Sequence, residues 1–178
     1  MRTSTKSRQY AKVLLDLAEQ QKILEDVYRS LVEFQAVYRH EPRLKAALAS
    51  TQIPAAKKAA LLSGVFPSLH PLNNAFIVEL AEKQDLRLIY EIVHQVELGY
   101  YQRSNQVRVQ ATATTALSAE VESRIRQAVE TVTRKRADFS TAVDEDMLGG
   151  LKLRVGNTIL DGSLASRLEQ IRDHLKEL

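Results

Sequence analysis

Over the first hundred positions, apolar residues recur at the three-to-four spacing of helices, and after Asn105 the spacing falls to two. Ser4 or Thr5 caps a first predicted helix carrying Tyr10, Ala11, Leu14, Leu15 and Ala18. A second carries Leu24, Val27, Leu31, Phe34 and Val37/Tyr38 and ends before Pro42, because the residue before proline disfavours the α conformation. Pro42 suits the first turn of a short third helix, Pro54 opens a fourth that Gly64 to Pro67 breaks, and Pro71 opens a fifth with Leu72, Ala75, Phe76 and Leu80. Asp85 is expected to cap a sixth, with Leu86, Ile89, Ile92, Val93, Val96 and Tyr100. Six helices with short connections imply a bundle.

Beyond Asn105, Val107, Val109, Ala111 and Ala113 alternate with polar residues, the pattern of a strand with one buried face. Ser118 caps a helix with Val121, Ile125, Ala128/Val129 and Val132 on its core side. Phe139 to Val143 and Leu151 to Val155 alternate again, Gly156-Asn157 is a two-residue hairpin turn, and Thr158 to Leu160 form a short return strand. Ser163 starts a last helix with Leu164, Leu168, Ile171, Leu175 and Leu178. The expected fold is therefore α+β. A six-helix bundle (1–105) precedes a small β-α-β-β-β-α domain (106–178).

Composition narrows the function. The chain has 178 residues, a net charge of +3 and no cysteine, so disulfides, thiol catalysis and thiolate metal sites are excluded. Up to Asn105 there are 14 basic and 11 acidic residues, and after it 11 of each, so neither part carries the one-signed field of a nucleic-acid binder. No apolar run approaches the roughly 20 residues of a membrane span. The N-terminus lacks the apolar core of a secretory signal.

No motif supplies catalysis. Gly149-Gly150 precedes a strand without any GK[ST], so a turn or bulge at positive φ outweighs a phosphate loop. Asp161 and Ser163 read as turn former and helix cap, with no histidine base near in sequence. His40, His70, His94 and His174 are scattered, and His40 and His70, beside prolines, read as solvated. Asp144-Glu145-Asp146 reads as a solvated acidic turn, and Arg134-Lys135-Arg136 as cations at a helix C-terminus. The first helix (Tyr10, Ala11, Val13, Leu14, Leu15, Leu17, Ala18) and the fifth (Phe76, Ile77, Leu80, Ala81) carry more apolar residues than one core stripe requires. Deep burial and a groove for a partner helix are both open readings. A nucleic-acid adaptor, suggested by the basic isoelectric point and the β-α-β-β module, is the alternative class.

Gly149, Gly150, Gly156, Asp161, Gly162, Ser163 and Leu168 stand at the places of a GGxxxxxGxxxxDGSxxxxL pattern, and Tyr10-Ala11-Lys12 with Leu14, Leu17 and Ala18 form a YAKxLxxLA-like opening. In these residues and in its element order, the chain resembles the δ subunit family of F-type ATP synthases, called OSCP in mitochondria. The resemblance implies a non-catalytic stator subunit of the proton-translocating enzyme that binds no nucleotide, cofactor or metal and resists the torque on the head. The helical domain would bind the N-terminal segment of an α subunit in a groove between the first and fifth helices, placed on Tyr10, Ala11, Leu14, Leu15, Ala18, Phe76, Ile77 and Leu80. The C-terminal domain would bind the membrane-distal ends of the b subunits. The protein would be peripheral, on the cytoplasmic face of the bacterial membrane.

Overall fold

The computed structural model describes residues 4–164 and residue 166. The fold is α+β, with two compact units, Met1–Gln102 and Arg103–Leu178.

In the first unit, helices α1 (Thr5–Gln20), α2 (Leu24–His40), α3 (Pro42–Ala49), α4 (Ala55–Val65) and α5 (Pro71–Glu82) are followed by a single 3-10 turn (Leu86–Leu88) and α6 (Ile89–Arg103). Ser4 caps α1, its hydroxyl accepting the Lys6 amide at 3.2 Å. Pro42 and Pro71 occupy first-turn positions, where a missing N–H costs nothing, while Pro54 sits one place earlier, at the cap of α4. The core is largely aliphatic. Leu14, Leu31, Leu62, Ile77 and Ile92 are buried, and Phe34 stacks on Tyr38 with Phe66 edge-on. Buried Asn73 ties α5 to α2 by donating to the Val27 carbonyl at 2.7 Å and to Ser30 Oγ at 2.8 Å.

Two expectations need correction here. Asp85 makes no side-chain cap, because its carboxylate turns to α1 instead, where Tyr10 Oη donates to it at 2.8 Å and Lys6 Nζ lies at 2.6 Å. His70 is half-buried, and its Nδ1 accepts the Leu72 amide at 3.2 Å, so it caps α5.

Helices α1 and α5 end alike. Lys22 (φ 59°) and Gln84 (φ 57°) take the left-handed conformation. The following amides reach back, Ile23 to Ala18 O at 2.9 Å and Asp85 to Leu80 O at 2.8 Å. This is the Schellman closure, with side chains where glycine is favoured. Gln84→Gly is expected to stabilise the unit by about 0.5–1 kcal/mol, because it relieves the left-handed strain. Urea unfolding checks this, and a lower midpoint would contradict it.

The second unit contains β1 (Gln106–Ala113), α7 (Ala119–Thr133), β2 (Arg136–Val143), β3 (Gly150–Val155) and β4 (Thr158–Ser163). The sheet order is β2-β1-β3-β4. β1 and β2 are parallel and joined through α7, while β1–β3 and β3–β4 are antiparallel. Val109 of β1, Ala137 of β2 and Val129 of α7 are buried together, with Val107, Ile125, Phe139, Leu153 and Val155 packed around them. Of the expected core face of α7, Ile125 and Val129 pack against the sheet, while Val121, Ala128 and Val132 are exposed. The return strand also runs longer than its apolar residues suggest, since pairing continues through Asp161 and Gly162 to Ser163, opposite Gly150. At the hairpin only Gly156 has positive φ (57°), as in turns with glycine first. The expected last helix lies outside the described residues from 167 onward.

Candidate partner-binding surfaces

Of the eight residues expected to line a groove, six belong to the core. Ala11, Leu14, Leu15, Ala18, Ile77 and Leu80 are each at most 4% exposed. Ala11, Leu14, Leu15 and Ala18 follow the i, i+3, i+4, i+7 rule of a core-facing stripe, which explains their burial. Tyr10 and Phe76 are half-buried and meet edge to face, with centroids 6.0 Å apart, so α1 and α5 do touch through this pair. The surplus of α1 lies at Val13 (57% exposed) and Leu17 (39%), three and seven residues after Tyr10 on the same side of the helix. Those two were visible as excess apolar positions, yet periodicity alone did not separate them from the core.

A polar cluster closes the Tyr10 end. Burial and then the hydrogen bond to Asp85 push the Tyr10 phenol up from its ordinary value. Hydrogen bonds from Lys6 and Tyr10 hold the Asp85 carboxyl below the usual range. Glu91 is likewise depressed, by the Ser4 amide at 3.0 Å and then the buried Ser7 hydroxyl at 3.0 Å. Both carboxylates titrate lower folded than unfolded. Their contribution is therefore complete above the ordinary carboxylate range, near pH 4, and is lost as pH falls through the folded values. Asp85→Asn is expected to lower the melting temperature at pH 7 and to converge on the wild type below about pH 3. An unchanged gap across that range in a thermal-melt series would contradict this linkage.

In the second unit the glycines and the Asp-Gly-Ser run form one structure. Gly150 pairs with Ser163, Leu151 with Gly162 and Lys152 with Asp161. Gly149 (φ 141°) and Gly150 (φ 93°) both have positive φ, as a turn or bulge requires. A Cβ on Gly150 would lie 2.5 Å from Gly162 O and 2.8 Å from Ser163 Cα, so the two strands close only over hydrogen. Asp161 sits within β4 and not in a turn. Its carboxylate accepts the Ser163 amide at 3.0 Å, and Ser163 holds its pKa down. Ser163 Oγ accepts the Ser166 amide at 3.3 Å, as a helix cap does. Leu168 lies outside the described residues.

Arg134, first of the basic run, is the left-handed cap of α7, its amide bonded to Glu130 O at 2.9 Å. A cleft of about 410 Å³ between α2 and the α4–α5 connection is lined by Asp26, Arg29, Ser30, Glu33 and residues 67–71. In it the Ser30 hydroxyl donates to Asp26 O at 2.8 Å, and His70 Nδ1 accepts the Leu72 amide at 3.2 Å. Among the described residues no group of three His, Asp or Glu side chains could hold a metal ion.

The family profile described as "ATP synthase delta (OSCP) subunit" matches residues 7–175. The chain is 28% identical to the ATP synthase subunit delta of Syntrophus aciditrophicus, over 96% of both chains. It is 31% identical to ATP synthase subunit delta 2 of Syntrophotalea carbinolica, over 98% of this chain and 99% of that one. Its fold is similar to that of a chain in the cryo-EM structure of the Toxoplasma gondii mitochondrial ATP synthase hexamer. The TM-score is 0.69 at 20% identity, over 97% of this chain and 98% of that one.

Proposed function

The chain belongs to the ATP synthase delta (OSCP) subunit family, and on that premise we propose how its two units divide the work of a stalk subunit. It is a non-catalytic peripheral-stalk subunit of an F-type ATP synthase. The helices of the first unit act as a six-helix bundle that receives the N-terminal helical segment of an α subunit beside Tyr10 and Phe76. Val13 and Leu17 supply its exposed apolar contacts. The second unit holds the membrane-distal ends of the b subunits. The protein then sits on the cytoplasmic face of the membrane through the complex, and among the described residues no helix is long and apolar enough to cross a membrane.

The observation that carries the groove is the outward apolar stripe of Val13 and Leu17 on a helix whose core stripe is already complete. A helix laid in such a groove can bury a standard area of roughly 1,600 Å². Two contacts on one chain raise the effective concentration of each, which is what a link under torque requires. The division of labour is tested with fragments 1–105 and 106–178. Fragment 1–105 is expected to be helical by circular dichroism and to bind the α-subunit N-terminal peptide, while 106–178 binds a soluble b segment. An unfolded 1–105, or α binding by 106–178, would overturn the assignment.

A further inference from the structure

The basic run Arg134-Lys135-Arg136 is not confined to the end of a helix. Arg134 closes α7 at φ 56°, while Arg136 already belongs to β2, its amide donating to Asn105 O at 3.2 Å. Arg136, Arg108 and Arg154 alternate along their strands with Ala137, Val109 and Val155, which pack toward α7. The three arginines therefore stand on the face of the sheet turned away from that helix. The register sets them in one diagonal row. Gln106 pairs with Arg136 and Gln110 with Arg154, so the row crosses β2, β1 and β3 and moves two residues along at each step. These three, Arg134 and Lys135 are all exposed. Two carboxylates stand among them. Asp138 is opposite Arg108 in register, and Glu130 is engaged by the Ala137 amide at 2.9 Å. The other end of the sheet carries exposed Asp144, Glu145 and Asp146, with Asp161 3.9 Å from Lys152. The even balance of charge after Asn105 thus hides two ends of opposite sign.

We propose that the sheet face turned away from α7 docks an acidic helical segment of a partner protein along the arginine row. This rests on the stalk reading above, for which it names the surface of the second unit and the chemistry of its occupant. Each step of the row is about 4.8 Å sideways and about 6.6 Å along the strands, so the row spans roughly 16 Å. A helix rises that far over about eleven residues, so carboxylates at i, i+4, i+7 and i+11 on one face meet it. Guanidinium forks bind carboxylates through two parallel hydrogen bonds.

Nucleic acid fits this face less well. Its strand residues include no aromatic ring on which a base could stack, since Phe139 lies on the α7 side. A uniform polyanion crossing the sheet would also meet the acidic end. A protein segment is free to carry its carboxylates only where the cations are, and such complementarity fixes its register and direction.

The probe is a soluble segment of the same organism's b subunit, titrated against the full chain at about 50 and about 150 mM salt. Arg108→Glu/Arg154→Glu is expected to weaken binding at least about tenfold at the lower salt and to flatten its salt dependence. Arg43→Glu/Lys57→Glu, which makes the same charge change at exposed positions of the first unit, is expected to alter neither. Arg134→Gln/Lys135→Gln lies outside the strands and repeats the test if the strand variant disturbs the sheet, with an expected loss of about threefold. Equal affinity in the wild type and both variants of the row would overturn the proposal and leave the stalk reading standing. Absence of binding by the folded wild type would overturn both. Displacement of the segment by duplex DNA at the higher salt would also overturn the proposal, by showing a general polyanion site.

Discussion

Gly150→Val is expected to unfold the C-terminal sheet while the helices of residues 4–103 stay folded. Two effects add. At φ 93° any side chain is strained, and a Cβ at 2.5 Å from the Gly162 carbonyl oxygen meets backbone, which cannot rotate away. Strained backbone costs of order 1–3 kcal/mol, and parting β3 from β4 adds the loss of their ladder, so the total is at least about 3 kcal/mol. That is a large share of the stability of a unit this small. Gly156→Ala is the control, since its φ is also positive (57°) but the nearest atom, Val107 Cγ2, is 3.7 Å away. It is expected to cost about 1 kcal/mol. Amide exchange read unit by unit checks both. Protection of β3 and β4 in Gly150→Val equal to that in the wild type would show that the glycine pair is not a steric requirement.

Val13→Asp, combined with Leu17→Asp, is expected to abolish binding of the α-subunit segment and leave the fold intact. Both side chains are exposed, so charging them buries nothing in the free protein. In the complex the lost apolar contact and the desolvated carboxylates cost about 2–4 kcal/mol, or roughly thirty- to a thousandfold in affinity. Leu14→Asp would be the wrong experiment. Leu14 is 1% exposed, and a carboxylate there collapses the core. Unaltered affinity in the Val13/Leu17 variant, with an unchanged melting temperature, would move the contact elsewhere on the unit.

How much of this was legible depended on which interaction decides each feature. Helices α1 to α6 and the alternation of β1 follow from local periodicity, and proline marks the starts of α3, α4 and α5. The positive φ at Gly149 and Gly150 was legible for the same reason, since few other residues tolerate it. What escaped is set by tertiary neighbours. Lys22 and Gln84 end helices in a conformation their types do not advertise. Asp85 reads as a cap until Tyr10 and Lys6 arrive from α1. Among the expected groove residues, Ala11, Leu14, Leu15 and Ala18 form the buried stripe of α1, and periodicity alone does not tell a core stripe from a groove wall. On α7 part of the apolar stripe stays outside, at Val121 and Val132, while Ile125 and Val129 pack against the strands.

The most direct measurement is calorimetric titration of the full chain with a peptide from the N-terminus of the same organism's ATP synthase α subunit, run on the wild type and on Val13→Asp/Leu17→Asp. Saturable 1:1 binding by the wild type, lost in the variant at unchanged helicity, is the expected result. Absence of binding by the folded wild type, or equal binding by both, would contradict the stalk contact placed on this face.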